Sequence, residues 1–264
     1  MIEVVGIKFN NNNKTVYNFL PGNKKLKKGI TVIVETEKGL EFGTVELENY
    51  NIDKKKYNKP LNEIVRIATK EDFLKNKKNQ QIEKKALIYC KELVEKNNLN
   101  MTLVDAHYTF DREQLLFRFL SDSRIDFRDL AKELANKYKT RIELRQIGSR
   151  DKAKEVGGCG LCGQQLCCSR FLKDLDSVSI NMAKNQNIAL NPSKINGLCG
   201  RLLCCLKYED ENYKCCRKGL PKIGQTVSIE KGEGKVINLD ILNKRYSVDV
   251  PKIGVIEVQL EDES

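Results

Sequence analysis

The sequence predicts an α+β protein built from four stretches. These are a small N-terminal β-sheet or barrel over residues 1–70, a central α-β-β-α-β sandwich over 71–149, a cysteine-rich metal-binding region over 150–218, and an SH3-like β-module over 219–264. Three observations lead there. Short β-branched runs with alternating polarity crowd both ends of the chain. Two stretches in the middle keep helical spacing of their apolar residues. Nine of the ten cysteines fall between Gly157 and Cys216.

Residues 2–9, 14–20, 30–37, 40–48 and 60–68 read as five strands. An Asn-rich turn follows the first, and Lys38-Gly39 closes a hairpin between the third and fourth; so many short strands in 70 residues suit a twisted sheet or small barrel. From Glu71 to Asn97 the pattern is one long helix, with Ile82, Ala86, Tyr89, Cys90 and Leu93 on its apolar stripe. Cys90 therefore reads as core. Residues 101–110 and 114–120 form a hairpin around Asp111-Arg112, a helix runs from Phe127 to Tyr138 with Asp126 as N-cap, and 140–147 is a further strand. That order predicts a three-stranded antiparallel sheet under two helices. Arg141 and Arg145 share one face of the last strand, where they suit a phosphate backbone, an acidic partner or plain solvent. His107 is the sole histidine, so a Cys–His nucleophile pair has few ways to assemble. Nothing in the first 70 residues supplies paired catalytic acids, a histidine or a phosphate loop.

Ser149–Val156 reads as a charged connector into the cysteine region, which says one thing twice. Residues 161–168 are Leu-Cys-Gly-Gln-Gln-Leu-Cys-Cys and residues 198–205 are Leu-Cys-Gly-Arg-Leu-Leu-Cys-Cys, identical at six of eight positions and 37 residues apart. Residues five apart on a helix do not share a face. The first cysteine of each arm is thus expected in a loop shaped by Gly163 or Gly200, and the second in the first turns of a short helix, where the macrodipole lowers a thiol pKa. Cys162, Cys167, Cys199 and Cys204 form a two-armed thiolate site on this reading, with Cys168 and Cys205 as packing neighbours. The linker between the arms is expected to lack a core of its own and to need a clamp. Lys184, Lys194 and Arg201 are placed to offset thiolate charge or to meet a partner or RNA. The C-x₄-C step occurs among iron–sulfur ligands, the C-x₂-C step Cys159–Cys162 suits zinc or dithiol redox chemistry, and a free-thiol core or disulfides complete the alternatives.

The runs GGCGLCGQQLCCSRFL and VSINMAKNQNIALNPSKINGLCGRLLCCLKYE, with VDAHYTFDREQLLFRF and RIDFRDLAKELANKYKTRIELRQIGSRDKAK before them, resemble the YaaT/RicT family, whose members carry a domain named after a yeast polymerase-suppressor protein. The likeness spans roughly residues 1–260. It implies a non-enzymatic subunit of a cytoplasmic bacterial complex with two small helical partners, RicA and RicF. That complex binds [4Fe–4S] clusters, supports RNase Y in maturing transcripts, and affects competence, biofilm formation and sporulation. The family's ligands fall on Cys162, Cys167, Cys199 and Cys204. Cys159, Cys215 and Cys216 depart from the family pattern and, with Cys168 and Cys205, are candidates for extra ligands.

The formal net charge is +11, carried by the first 218 residues, while the last 46 are slightly acidic; a basic body suits RNA or acidic partners, though several lysines sit in Asn/Lys-rich loops. No apolar run approaches the ~18 residues a membrane span needs. The N-terminus has an early acid and no basic region, unlike a signal peptide, so the cysteines are expected reduced or metal-bound in a cytoplasmic protein.

Overall fold

A computed structural model describes residues 1–9, 16–53, 61–172 and 174–260. The Asn-rich turn after the first strand, the lysine run at 54–56 and the start of the fifth predicted strand lie outside the described residues, as do residues 261–264. The chain is mixed α+β and divides into two compact units, Met1–Gly148 and Ser149–Ser264.

The first unit opens with five strands: β1 (Ile2–Phe9), β2 (Val16–Phe19), β3 (Thr31–Thr36), β4 (Gly39–Ile52) and β5 (Ile64–Ile67), ordered β2-β1-β4-β3-β5 with every pair antiparallel. The two edges meet through a short parallel bridge, Leu20 to Glu63, where the Ile64 amide donates to the Leu20 carbonyl at 3.1 Å. The sheet so curls around Val5, Ile7, Phe19, Val32, Val45 and Ile64. Burial of the apolar side chains drives the curl, because they must leave water; β1 and β3 carry runs of buried residues rather than a strict alternation.

Helix α1 (Lys70–Lys96) starts where Thr69 and Asp72 close a capping box; the Asp72 carboxylate also takes the Arg66 guanidinium, which holds its pKa far below the usual carboxylate range. Strands β6 (Thr102–Tyr108) and β7 (Gln114–Leu120), helix α2 (Arg128–Tyr138) and strand β8 (Arg141–Gln146) follow. Cys90, Leu115, Phe117, Phe119, Leu130 and Leu134 share one core under the two helices, so Cys90 is a packing residue. The antiparallel three-stranded sheet expected from the sequence is corrected here: β7 pairs β6 antiparallel but β8 parallel. The reason is the connection. Helix α2 carries the chain back over the sheet, and a strand reached through a helical crossover returns in the same direction. Asp126 also acts one residue earlier than expected: its carboxylate accepts the Arg128 amide at 3.1 Å, while Phe127 occupies the cap position.

In the second unit the expected connector is a helix, α3 (Ser149–Val156). Short helices α4 (Cys167–Arg170), α5 (Ile180–Asn185) and α6 (Pro192–Ile195) lead into α7 (Cys204–Cys216). Helix α7, with 13 residues, is far longer than the short helix the sequence suggested after the second arm, whereas α4 after the first arm ends at Arg170. The linker does have its own core: Ala183, Ile195 and Leu206 are buried together, flanked by Met182, Ile188 and Leu203. Gln186 adds a bond from its side chain to the Leu206 carbonyl at 2.7 Å. Strands β9 (Thr226–Ile229), β10 (Gly232–Asp240), β11 (Arg245–Val250) and β12 (Gly254–Gln259) form an antiparallel meander, with Tyr213 and Cys216 of α7 against its core.

Candidate metal centre

The repeated sequence folds as a repeated structure. In the first arm the Gly160 amide donates to the Gln164 carbonyl at 2.8 Å, Cys159 bridges Gln165, and the Leu166 amide reaches the Gly158 carbonyl at 3.0 Å. In the second arm, 37 residues on, the Gly197 amide donates to the Arg201 carbonyl at 2.8 Å, Asn196 bridges Leu202, and the Leu203 amide reaches the Ile195 carbonyl at 2.9 Å. Gly163 and Gly200 have φ of +75° and +73°, a conformation that costs any side chain. Leu166 and Leu203 are extended, and Cys167 and Cys204 are each the first residue of a helix. Each arm is thus a tight knuckle that presents one cysteine from its turn and a second from the helix after it.

The two arms face one another. Helix α4 packs on α7, and the equivalent residues Phe171 and Tyr208 meet edge to face with ring centroids 5.1 Å apart. Thiols of both arms lie within each other's electrostatic reach. Burial pushes the Cys167 thiol up, and Cys162 and Cys168 add to it. Burial likewise raises Cys204, whose field includes Cys168, Cys199 and Cys167; the Arg150 charge pulls the other way. Cys205 is raised by burial and then by Cys167. The lowered thiol pKa expected from the helix ends is therefore corrected: with two thiol-bearing arms packed together and partly dry, desolvation and the neighbouring thiols raise Cys167 and Cys204 although each begins a helix. Such thiols ionise when a cation shares the site.

Cys168 is buried and Cys205 half-buried, each on the inner side of its helix start. Cys159 is exposed at the base of the first knuckle, where the second arm has Asn196. Cys215 and Cys216 close α7, eleven and twelve residues beyond Cys204, about 16–18 Å along the axis at ~1.5 Å per residue. Cys216 packs against the C-terminal sheet instead. Lys184, Lys194 and Arg201 are exposed; Arg201 Nε donates to Ser149 Oγ at 3.3 Å. Arg141 and Arg145 are exposed on β8 in the first unit, Arg145 opposite Arg118, whose charge Asp105 already pairs.

Among the described residues, no group of three or more His, Cys, Asp or Glu side chains is arranged to hold a single metal ion. One tetrahedral zinc with bonds of about 2.3 Å would draw four sulfurs to within about 4 Å of each other. The donor set, four to six thiols in two arms joined by the α4–α7 contact, is the chemistry that an iron–sulfur cluster or a zinc ion draws on.

The sequence reading missed α3, which ties the arms together. The Arg150 Nη2 donates to the Leu202 carbonyl at 2.8 Å, and at the other end Ser169 Oγ of α4 donates to the Lys154 carbonyl at 2.7 Å. The signal was present: Ser149 before a run of helix formers, bounded by Gly148 and Gly157.

A second cluster lies in the first unit. His107 Nε2 is 3.0 Å from Glu41 and Nδ1 is 3.2 Å from Glu83, on the wall of a cavity of about 280 Å³. Burial disfavours its charge, but hydrogen bonds and charge from the two carboxylates prevail and lift its pKa to about 10. It is an imidazolium clamp between β4, α1 and β6 rather than a base.

Comparison with known proteins agrees with the anatomy. Residues 62–147 match the PSP1 C-terminal conserved region, and residues 177–220 match the third domain of PSP1-like proteins. Protein PSP1 of Saccharomyces cerevisiae is 48% identical over 52 residues, 20% of this chain and 6% of that one. An uncharacterised protein of Schizosaccharomyces pombe is 42% identical over 62 residues, 24% of this chain and 8% of that one. No solved structure matches. Among the described residues, no helix is long and apolar enough to cross a membrane. The stage 0 sporulation protein YaaT of Bacillus subtilis is 44% identical over 263 residues, 99% of this chain and 95% of that one. An identity of that extent carries both arms, the α3 strut and both units together, and the chain belongs to the YaaT/RicT family.

Proposed function

We propose that the chain is a non-enzymatic adaptor subunit that carries a [4Fe–4S] cluster on Cys162, Cys167, Cys199 and Cys204 and acts in bacterial developmental regulation. The observation that carries this reading is the pair of knuckles with matching hydrogen bonds and left-handed glycines, joined by the contact between α4 and α7. The sporulation role named for the Bacillus relative supports the regulatory part. The partners on this reading are RicA-like and RicF-like helical proteins and RNase Y, in the cytoplasm, with the protein supporting transcript processing rather than cutting RNA itself. Because the linker has its own core and α3 already joins the arms, the cluster's task is local: it fixes the two knuckle tips, where Leu161 and Leu198 are exposed, into one surface.

The test is an absorption spectrum of the anaerobically purified full chain with iron, sulfide and zinc analysis. A broad band near about 400 nm with matched iron and sulfide is the expected result. A colourless protein with one zinc overturns it in favour of a second reading, a zinc-stabilised nucleic-acid-binding protein. The exposed C-x-x-C-Gly knuckle at Cys159–Cys162 and the net charge of +11 favour that alternative.

A further inference from the structure

Arg150 is the second residue of α3, and its position is unusual for a surface helix. One end of its guanidinium is anchored: Nη2 donates to the Leu202 carbonyl at 2.8 Å, two residues before Cys204. Its Nε is buried and has no hydrogen-bond partner among the described residues. A buried guanidinium N–H without an acceptor is costly, and arginine cannot shed its proton to escape that cost. In the first arm the contact runs the other way, and α3 contributes the Lys154 carbonyl to Ser169 Oγ. The basic residues that lie near the thiolates in sequence, Lys184, Lys194 and Arg201, are exposed. Arg150 is thus a cation anchored to the peptide that leads into Cys204.

We propose that Arg150 is the positioning and charge-compensating residue of the thiolate centre: it fixes the peptide that leads into Cys204 and offers its remaining N–H to a sulfur of the bound centre. This rests on the metal-binding reading given above. Hydrogen bonds and positive charge at cluster sulfurs favour the more reduced, more negative form, so Arg150 raises the reduction potential as well as slowing metal loss.

The test uses the full chain, reconstituted anaerobically with ferrous iron and sulfide, as wild type, Arg150→Lys, Arg150→Met and the surface control Lys231→Met, in the exposed turn between β9 and β10. The readouts are iron and sulfide per chain, the rate of bleaching by EDTA, and the reduction potential. Loss of an outer-shell partner is expected to speed bleaching of Arg150→Met by about 10- to 100-fold and to lower its potential. Arg150→Lys keeps the charge without the fork, so it recovers much of the potential but not the retention. Lys231→Met behaves as wild type. Far-UV circular dichroism confirms that each variant is folded, and Arg150→Lys carries the comparison if Arg150→Met is not. Equal bleaching rates and potentials in wild type and all Arg150 variants overturn the role of Arg150 alone. A wild-type chain that takes up no iron and sulfide overturns the metal reading and this role with it.

Discussion

At the scale of single residues, position along a helix separates thiols that look alike in sequence. Cys204 and Cys215 both stand in Cys-Cys pairs, yet they mark opposite ends of α7. Substituting Ser at Cys162, Cys167, Cys199 or Cys204 is therefore expected to strip most of the iron, while Cys215→Ser keeps the wild-type content; iron analysis of the five variants decides it, and iron loss in Cys215→Ser would count against the assignment. His107 makes a separate prediction. Its folded pKa, about 10, lies above its ordinary value of 6.5, so the folded state holds the proton more tightly. The clamp's contribution is complete below about pH 6.5 and fades as the pH climbs toward 10. His107→Gln leaves Glu41 and Glu83 facing each other without a cation and is expected to cost about 3 kcal/mol at neutral pH. The urea midpoint, measured from pH 6 to pH 10, should fall with pH in the wild type by more than in the variant. Parallel curves would show that the imidazolium contributes nothing.

At the scale of elements, the knuckles show what sequence makes legible. The duplicated Cys-Gly step predicted a loop followed by a helix start, and the left-handed Gly163 and Gly200 deliver both in each arm. Gly163→Ala and Gly200→Ala are each expected to cost about 1–2 kcal/mol, and nearly the same amount as each other, because both turns have the same left-handed φ and the same hydrogen-bond pattern. Thermal melting of the two variants checks this; a large effect at one and none at the other would mean that the arms are not equivalent supports. Long α1 was legible for a related reason: its apolar stripe and its length point to one answer, and the structure adds the Thr69 capping box. The direction of β8 was not legible, since a six-residue strand reads the same either way and only the crossover through α2 decides it. Strut α3 was hidden by its charge, as none of its residues is buried and no apolar stripe announces it. The linker core was hidden because Ala183, Ile195 and Leu206 come from three short helices and converge only in space.

At the scale of the whole molecule, the two units separate the consequences of metal binding from the rest of the fold. Every candidate ligand belongs to Ser149–Ser264, and the Glu41–His107–Glu83 clamp belongs to Met1–Gly148. Each unit has its own core: Phe117, Leu130 and their neighbours in the first, Leu206 with Ala183 and the Val236–Val248 cluster in the second. Chains with separate cores need not unfold in one step. Calorimetry of the full chain is therefore expected to show two transitions. A ligand that binds only the native form stabilises it by about 4 kcal/mol at a thousandfold excess over its Kd. Spread over a unit of this size, that lifts Tm by about 10 °C or more. Reconstitution with iron and sulfide should thus move one transition upward and leave the other in place. His107→Gln should lower the stationary transition and spare the metal-sensitive one, which assigns each peak to its unit without cutting the chain. If loading shifts both transitions equally, or if the variant lowers the metal-sensitive peak, the cluster is coupled to the entire chain, and its influence is not confined to the knuckle surface.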